Sequence, residues 1–81
     1  MRVNTIHPGY VATPMMDKIH RMVMPDAPQL FEAAIAETVP MQRYARAEEI
    51  AQLLVFLASD ASSYSTGGCY AADGGILAAL P

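Results

Sequence analysis

Residues 47–58 read as a helix that is apolar almost all the way round. Ile50, Leu53, Leu54 and Leu57 recur at i, i+3, i+4 and i+7, and Ala51, Val55, Phe56 and Ala58 fill the remaining faces. Such a helix is normally buried on more than one side. Yet the chain has only 81 residues, 53% of them apolar. A domain of that size buries about 60–65% of the surface its unfolded chain exposes. One cysteine, Cys69, allows no internal disulfide, and two histidines with one cysteine do not make a structural zinc site. The chain therefore reads as part of something larger.

Around this helix the punctuation is clear. Arg2-Val3-Asn4-Thr5-Ile6 alternates polar and β-branched residues and stops at Pro8-Gly9, which predicts a short strand and a turn. Pro14 opens a helix whose Met15, Ile19, Met22 and Val23 share a face, with Asp17, Lys18 and Arg21 opposite. Asp26, followed by Pro28 and Gln29, reads as the acidic cap of a second helix. Leu30, Phe31, Ala34, Ile35 and Thr38 give that helix one face, and Pro40 closes it. Glu48 and Glu49 sit in the first turn of the 47–58 helix, where the helix dipole favours them. Ser59 to Ser65 is a polar loop, Gly68 to Ala72 a short strand, and Asp73-Gly74-Gly75 a turn. Two strands joined by a helical crossover are expected to lie parallel.

Charge and hydropathy exclude several classes. A net charge of −3, with five dispersed basic residues, does not make a nucleic-acid surface. The longest apolar run, Leu53 to Ala58, is six residues, against ~20 for a spanning helix. No apolar segment follows Arg2 as in a secretory signal. A cytoplasmic chain with a free thiol is the expectation.

Three blocks resemble one family. Arg2-Val3-Asn4-Thr5-Ile6-His7-Pro8-Gly9 with Thr13 resembles the sixth strand and Pro-Gly loop of the short-chain dehydrogenases/reductases. Pro40-Met41-Gln42-Arg43-Tyr44 with Glu48-Glu49-Ile50-Ala51 resembles the family's lead-in to its last long helix. Leu57-Ala58-Ser59-Asp60, Tyr64, Thr66-Gly67 and Asp73-Gly74-Gly75 resemble its end. The blocks stand in the family order and cover nearly the whole chain. Two positions depart: Ala47 replaces the usual first-turn proline, and Ser65 stands where a β-branched aliphatic is common.

The resemblance implies an α/β fold, the C-terminal part of a Rossmann-like doubly wound parallel sheet: its last two strands, the crossover helix and a helical substrate-lid insert. In that frame residues 1–13 are strand and Pro-Gly loop, 14–40 the lid insert, and 41–81 the last helix, last strand and tail. It further implies an oxidoreductase using NAD or NADP on a secondary alcohol or ketone. Cofactor binding would fall on Pro8, Gly9, Val11 and Thr13. Gly9 would let backbone approach the nicotinamide, and Val11 would offer backbone contacts. Thr13 would hydrogen-bond the carboxamide or a phosphate, although a helix-start hydroxyl also explains it. Met15, Met16 and Met22 of the lid either pack at helical spacing or line a site for an apolar substrate. Helix 47–58 and strand 68–72 would pack across a two-fold axis on a second copy, which accounts for the all-round apolar helix.

The chemistry-bearing motifs of that family are absent. The five glycines, Gly9, Gly67, Gly68, Gly74 and Gly75, spell no pyrophosphate turn. No tyrosine has a lysine four places on; Pro14, Glu48, Gly68 and Gly74 stand there. No catalytic residue and no metal ligand is expected, and the chain alone should be inactive. A late start or truncated gene fits Met1 falling midway through the family pattern; a non-catalytic remnant or oligomerisation fragment is the alternative. Asn4 is expected to satisfy backbone near the sheet, His7 to be a variable strand-end residue, His20 a solvated or half-buried side chain, and Cys69 a small strand hydrophobe.

Overall fold

The predicted strand begins later than its pattern and runs further. In the computed structural model, which describes residues 1–80, β1 spans Thr5–Pro8 and pairs in parallel with β4, Cys69–Ala72. Thr5 faces Cys69 and Pro8 faces Ala72. Alternate residues turn their backbone toward the partner: Thr5 N–H donates to Gly68 O at 2.9 Å and Gly9 N–H to Ala72 O at 3.1 Å. Pro8 falls between them, so its missing N–H lies on the edge that β4 does not use. The expected parallel pairing is thus present.

Asn4 does the expected work. Its Nδ2 donates to Ser65 O at 3.1 Å, and Gly68 N–H donates to its Oδ1 at 3.0 Å. The same bonds keep Asn4 and Gly68 outside the strands that were predicted to include them, since a side-chain amide replaces the ladder there.

Between β1 and β4 the chain makes β2 (Val11–Ala12), α1 (Pro14–Val23), α2 (Pro28–Thr38), β3 (Ala45–Arg46) and α3 (Ala47–Ala58), then a 3-10 turn at Asp60–Ser62. After β4 comes a short α4, Ile76–Ala79, in the region expected to be tail; Pro81 lies outside the described residues. The β2–β3 ladder is a two-residue parallel pair, too short to leave a periodic signal. Helix α3 has the predicted bounds. It has no Ser, Thr, Asp or Asn cap; instead Glu49 reaches back and its Oε1 accepts from Arg46 N–H at 2.9 Å.

Three expectations fail for identifiable reasons. Asp26 does not cap α2: Ala27 is the cap residue and no side chain bonds the helix start. Asp26 stands one residue too early, because Pro28 sets the first helical position. On α2 only Pro28, Phe31, Ile35 and Ala36 are half-buried, while Leu30, Ala34 and Thr38 are exposed, since α2 packs beside α1 and little else covers it. His20 is neither solvated nor half-buried: it is 3% exposed. It inserts between the rings of Phe31 and Tyr44, edge-on to both.

Burial is sparse. Val39 and Tyr44 are the buried apolar residues, and His20 and Ser62 the buried polar ones, among the described residues. Gly74 shows why glycine stands beside Val39: its φ is +67°, and a Cβ there would lie 2.6 Å from Val39 Cγ1. On α3, Ile50, Leu53 and Leu57 are half-buried, but Leu54, Val55 and Phe56 are exposed. Leu54 therefore leaves the face that its spacing assigned to it. The molecule is a slab of 49 × 30 × 15 Å with a radius of gyration of 15.1 Å, against about 12 Å for a compact chain of this length. Its accessible surface is 6000 Å², where a compact monomer of the same mass exposes about 4,700 Å². The surplus has the size of a protein interface.

Candidate functional site

The loop from Pro8 to Thr13 leaves the carboxyl end of β1. Because β1 and β4 are parallel, that end lies beside the carboxyl end of β4 and the Asp73-Gly74-Gly75 turn. Gly9 is what lets the two turns touch: a Cβ on it would lie 2.9 Å from both Cα and Cβ of Asp73. The need for a small residue at Gly9 is thus met within the chain itself. The turn below is rigidified by the Asp73 carboxylate, which accepts from Gly75 N–H at 2.9 Å and Leu77 N–H at 3.2 Å. The bond from Gly75, and then that from Leu77, hold Asp73 below the usual carboxylate range.

Past Gly9, Ala45 N–H donates to Tyr10 O at 2.9 Å. Backbone groups alternate sides along a strand, so the N–H and C=O of Val11 point away from β3. Thr13 caps α1: its Oγ1 accepts from Met16 N–H at 3.3 Å. Its own hydroxyl proton has no acceptor among the described residues. The loop therefore presents one donor and one acceptor from Val11 and a hydroxyl donor from Thr13, a set that matches a primary amide. Of the methionines beyond it, Met15 and Met22 are 69% and 71% exposed, and Met16 is half-buried. Packing at helical spacing does not account for Met15 and Met22 here. His7 is exposed at the strand end, with Nε2 at 3.1 Å from Thr5 Oγ1. Cys69 is a free, exposed strand residue.

Behind the loop a half-open apolar groove of about 720 Å³ runs between Tyr10, Val39, Met41, Ile50, Ala72 and Leu77. Arg43 and Glu49 close one side as a forked ion pair at 2.7 and 2.9 Å. The Arg43 bond, followed by that from Arg46 N–H, takes the Glu49 carboxyl down to about 2. A depressed folded value means that this pair supports the fold above the ordinary carboxyl range near 4.5. That support is lost as pH falls from there through about 2. Carbon NMR of the Glu49 carboxyl is expected to show a midpoint near 2; a midpoint near 4.5 means the fork is absent in solution.

Sequence reasoning missed one organising residue. Arg2 Nη1 donates to Leu57 O at 3.1 Å, Ser62 O at 2.8 Å and Ser62 Oγ at 2.8 Å, and Nη2 to Ser59 O at 3.0 Å. It ties the approach to β1 to the last turn of α3. Its partners are mostly backbone carbonyls, so no complementary side chain signals it.

Comparison with known proteins adds what 81 residues cannot. Residues 1–77 match the family model described as Enoyl-(Acyl carrier protein) reductase. Over 75 residues the chain is 47% identical to oxidoreductase UcpA of Salmonella typhimurium, covering 93% of this chain and 28% of that protein. It superposes with TM-score 0.90 on a short chain dehydrogenase family protein from Francisella tularensis, at 34% identity over 95% of this chain and 33% of that one. L-sorbose reductase from Gluconobacter frateurii, solved with NADPH and L-sorbose, gives TM-score 0.90 at 37% identity over 98% of this chain and 32% of that one. The chain thus spans a little over a quarter of the curated relative and about a third of each solved chain. Sheet order, Pro-Gly loop and family match agree: the chain belongs to the short-chain dehydrogenase/reductase family, as the C-terminal part of its Rossmann-like α/β fold.

Proposed function

We propose that this chain carries the nicotinamide-side loop and substrate lid of an NAD(P)-dependent oxidoreductase acting on a secondary alcohol or ketone. One observation carries the reading. The Pro8–Thr13 loop presents amide-matching groups at the carboxyl ends of two parallel strands, where open α/β sheets bind their ligands. Val11 would hold the carboxamide through its backbone N–H and C=O, and Thr13 would donate its hydroxyl proton. Pro8 and Gly9 shape the loop that brings them there. When bound, NAD or NADP supplies hydride transfer. The chain's own contribution is orientation of the nicotinamide end and exclusion of water by helices α1 and α2. Met15, Met16 and Met22 on α1 would offer the substrate an adaptable apolar surface. Residues 1–13, 14–40 and 41–81 would serve as loop, lid and oligomerisation portion. A free, exposed thiol at Cys69 fits a reducing, cytoplasmic setting. No described helix is long and apolar enough to cross a membrane.

The chain holds neither the glycine-rich turn nor a Tyr-x-x-x-Lys pair, so it lacks the means to grip the pyrophosphate or relay a proton. The purified chain is expected to show no oxidation of NADH or NADPH with ketone substrates. Turnover by it would overturn this reading. Protection of the Val11 and Thr13 amides by nicotinamide mononucleotide, seen by NMR, is the binding test independent of turnover. A second reading, a non-catalytic piece that associates through α3 and β4, is favoured by the surplus exposed surface. It separates from the first by the absence of any nicotinamide response.

A further inference from the structure

The helical pair α1–α2 meets the rest of the chain through few groups, and the most buried of them are aromatic. Phe31 of α2 lies 5.7 Å from His20 of α1, His20 lies 5.5 Å from Tyr44, and Tyr44 lies 5.9 Å from Tyr10, all between ring centroids. Within this row His20 and Tyr44 are joined by a hydrogen bond of 2.7 Å between Nε2 and the phenolic oxygen. His20 is 3% and Tyr44 9% exposed. Tyr44 stands just before β3, and Tyr10 stands between Gly9 and Val11, so the row runs from α2 through α1 to the Pro8–Thr13 loop.

We propose that the His20–Tyr44 hydrogen bond is a latch that docks the α1–α2 pair onto the Pro8–Thr13 loop, and that breaking it releases the pair without unfolding the rest of the chain. The remainder is held independently. The β1–β4 ladder, the Asn4 bridge and the Arg2 clamp all lie outside the pair. Apart from this row, the pair is anchored at the end of α2, where Val39 is buried against the Gly74 turn, while its outward surfaces carry exposed Met15, Met22, Leu30 and Val23. A buried bond between two side chains is a local, breakable link, since losing one partner leaves the other unsatisfied in a dry site. Burial, then the nearby Glu32 carboxylate, then Tyr10 raise the Tyr44 phenol, which keeps the hydroxyl of the bond protonated. Only the description of the pair as a lid rests on the proposed function; the latch does not.

Amide hydrogen exchange on the full chain tests this. Tyr44→Phe keeps the ring and removes only the hydroxyl. It is expected to raise exchange in α1 and α2 by about tenfold, the effect of one buried hydrogen bond, with β1, β4 and α3 unchanged. His20→Leu should release the same segments, and the double variant should add little to either, because the bond is already lost. A uniform rise across all elements would mean ordinary destabilisation and overturn the latch. So would no change in α1 and α2, or α1 and α2 amides that are already unprotected in the unaltered chain. Failure of nicotinamide binding would leave these outcomes unaffected, so the latch and the cofactor reading stand or fall separately.

Discussion

Replacing Arg2 with alanine is expected to destabilise the chain by about 3 kcal/mol, because a charged donor set is removed from partly buried carbonyls. The guanidinium bonds Leu57 O, Ser59 O and Ser62 O, and also the hydroxyl of Ser62. Ser62 is 3% exposed, so without Arg2 its carbonyl keeps only the bond from Ser65 N–H at 2.9 Å, and water does not readily replace the lost donor. The carbonyls of Leu57 and Ser59 lie at the end of α3, beyond the intrahelical ladder, and Arg2 shares them with Ser62, whose hydroxyl stands 3.0 Å from Leu57 O and 3.1 Å from Ser59 O. Arg2→Lys is expected to recover only part of the loss, since an ammonium cannot spread donors from two nitrogens across three residues. Urea unfolding at one fixed protein concentration measures both variants. A loss below about 1 kcal/mol for Arg2→Ala, within the range of an ordinary surface contact, would show the clamp to be ornamental.

The second large effect concerns self-association. Leu54, Val55 and Phe56 expose 58%, 65% and 45% of their surface on a single helix. The chain as a whole exposes 6000 Å², about 1,300 Å² more than a compact monomer of its mass. We expect two copies to meet through α3 and β4, covering this face, with each residue of the patch used twice by the two-fold symmetry. Val55→Glu then places an unpaired carboxylate in the contact, at a cost of about 3–5 kcal/mol per uncompensated charge. The dissociation constant should rise by more than about 100-fold, seen as a shift toward monomer in sedimentation velocity. Circular dichroism of the monomer should stay the same, because Val55 is already mostly exposed within one chain. An unaltered chain that is monomeric at about 100 µM would sink the proposal, as would a Val55→Glu variant that still dimerises.

The two predictions rest on different kinds of information. The apolar pattern of α3 and its length were legible from residues 47–58, because hydrophobic periodicity is a local property. The Pro-Gly turn, the α1 start at Pro14 and the parallel pairing of the two outer strands were legible for the same reason, helped by the order of the family blocks. Thr13 was left with two uses, and the structure shows the capping one without removing the proton needed for the other. Asp26 shows where local reading fails: cap-like chemistry was present, but the helix starts where Pro28 fixes the backbone.

The sequence by itself therefore determined the three longer helices, the two outer strands and the turns between them, though not β2, β3 or α4, and that the chain's apolar content exceeds what it buries alone. Only tertiary structure decided which groups meet across long separations. Arg2 finds carbonyls 55 to 60 residues away, and Asn4 bridges to positions 61 and 64 residues on. His20 became a buried latch partner because the chain's return places Tyr44 against it, 24 residues later. Most of these partners are backbone groups, which every residue carries, so side-chain identity does not mark them. The His20–Tyr44 pair depends instead on how α1 lies against the segment just before β3. Such contacts are chosen by the path of the chain in space, and periodicity along it holds no record of that path.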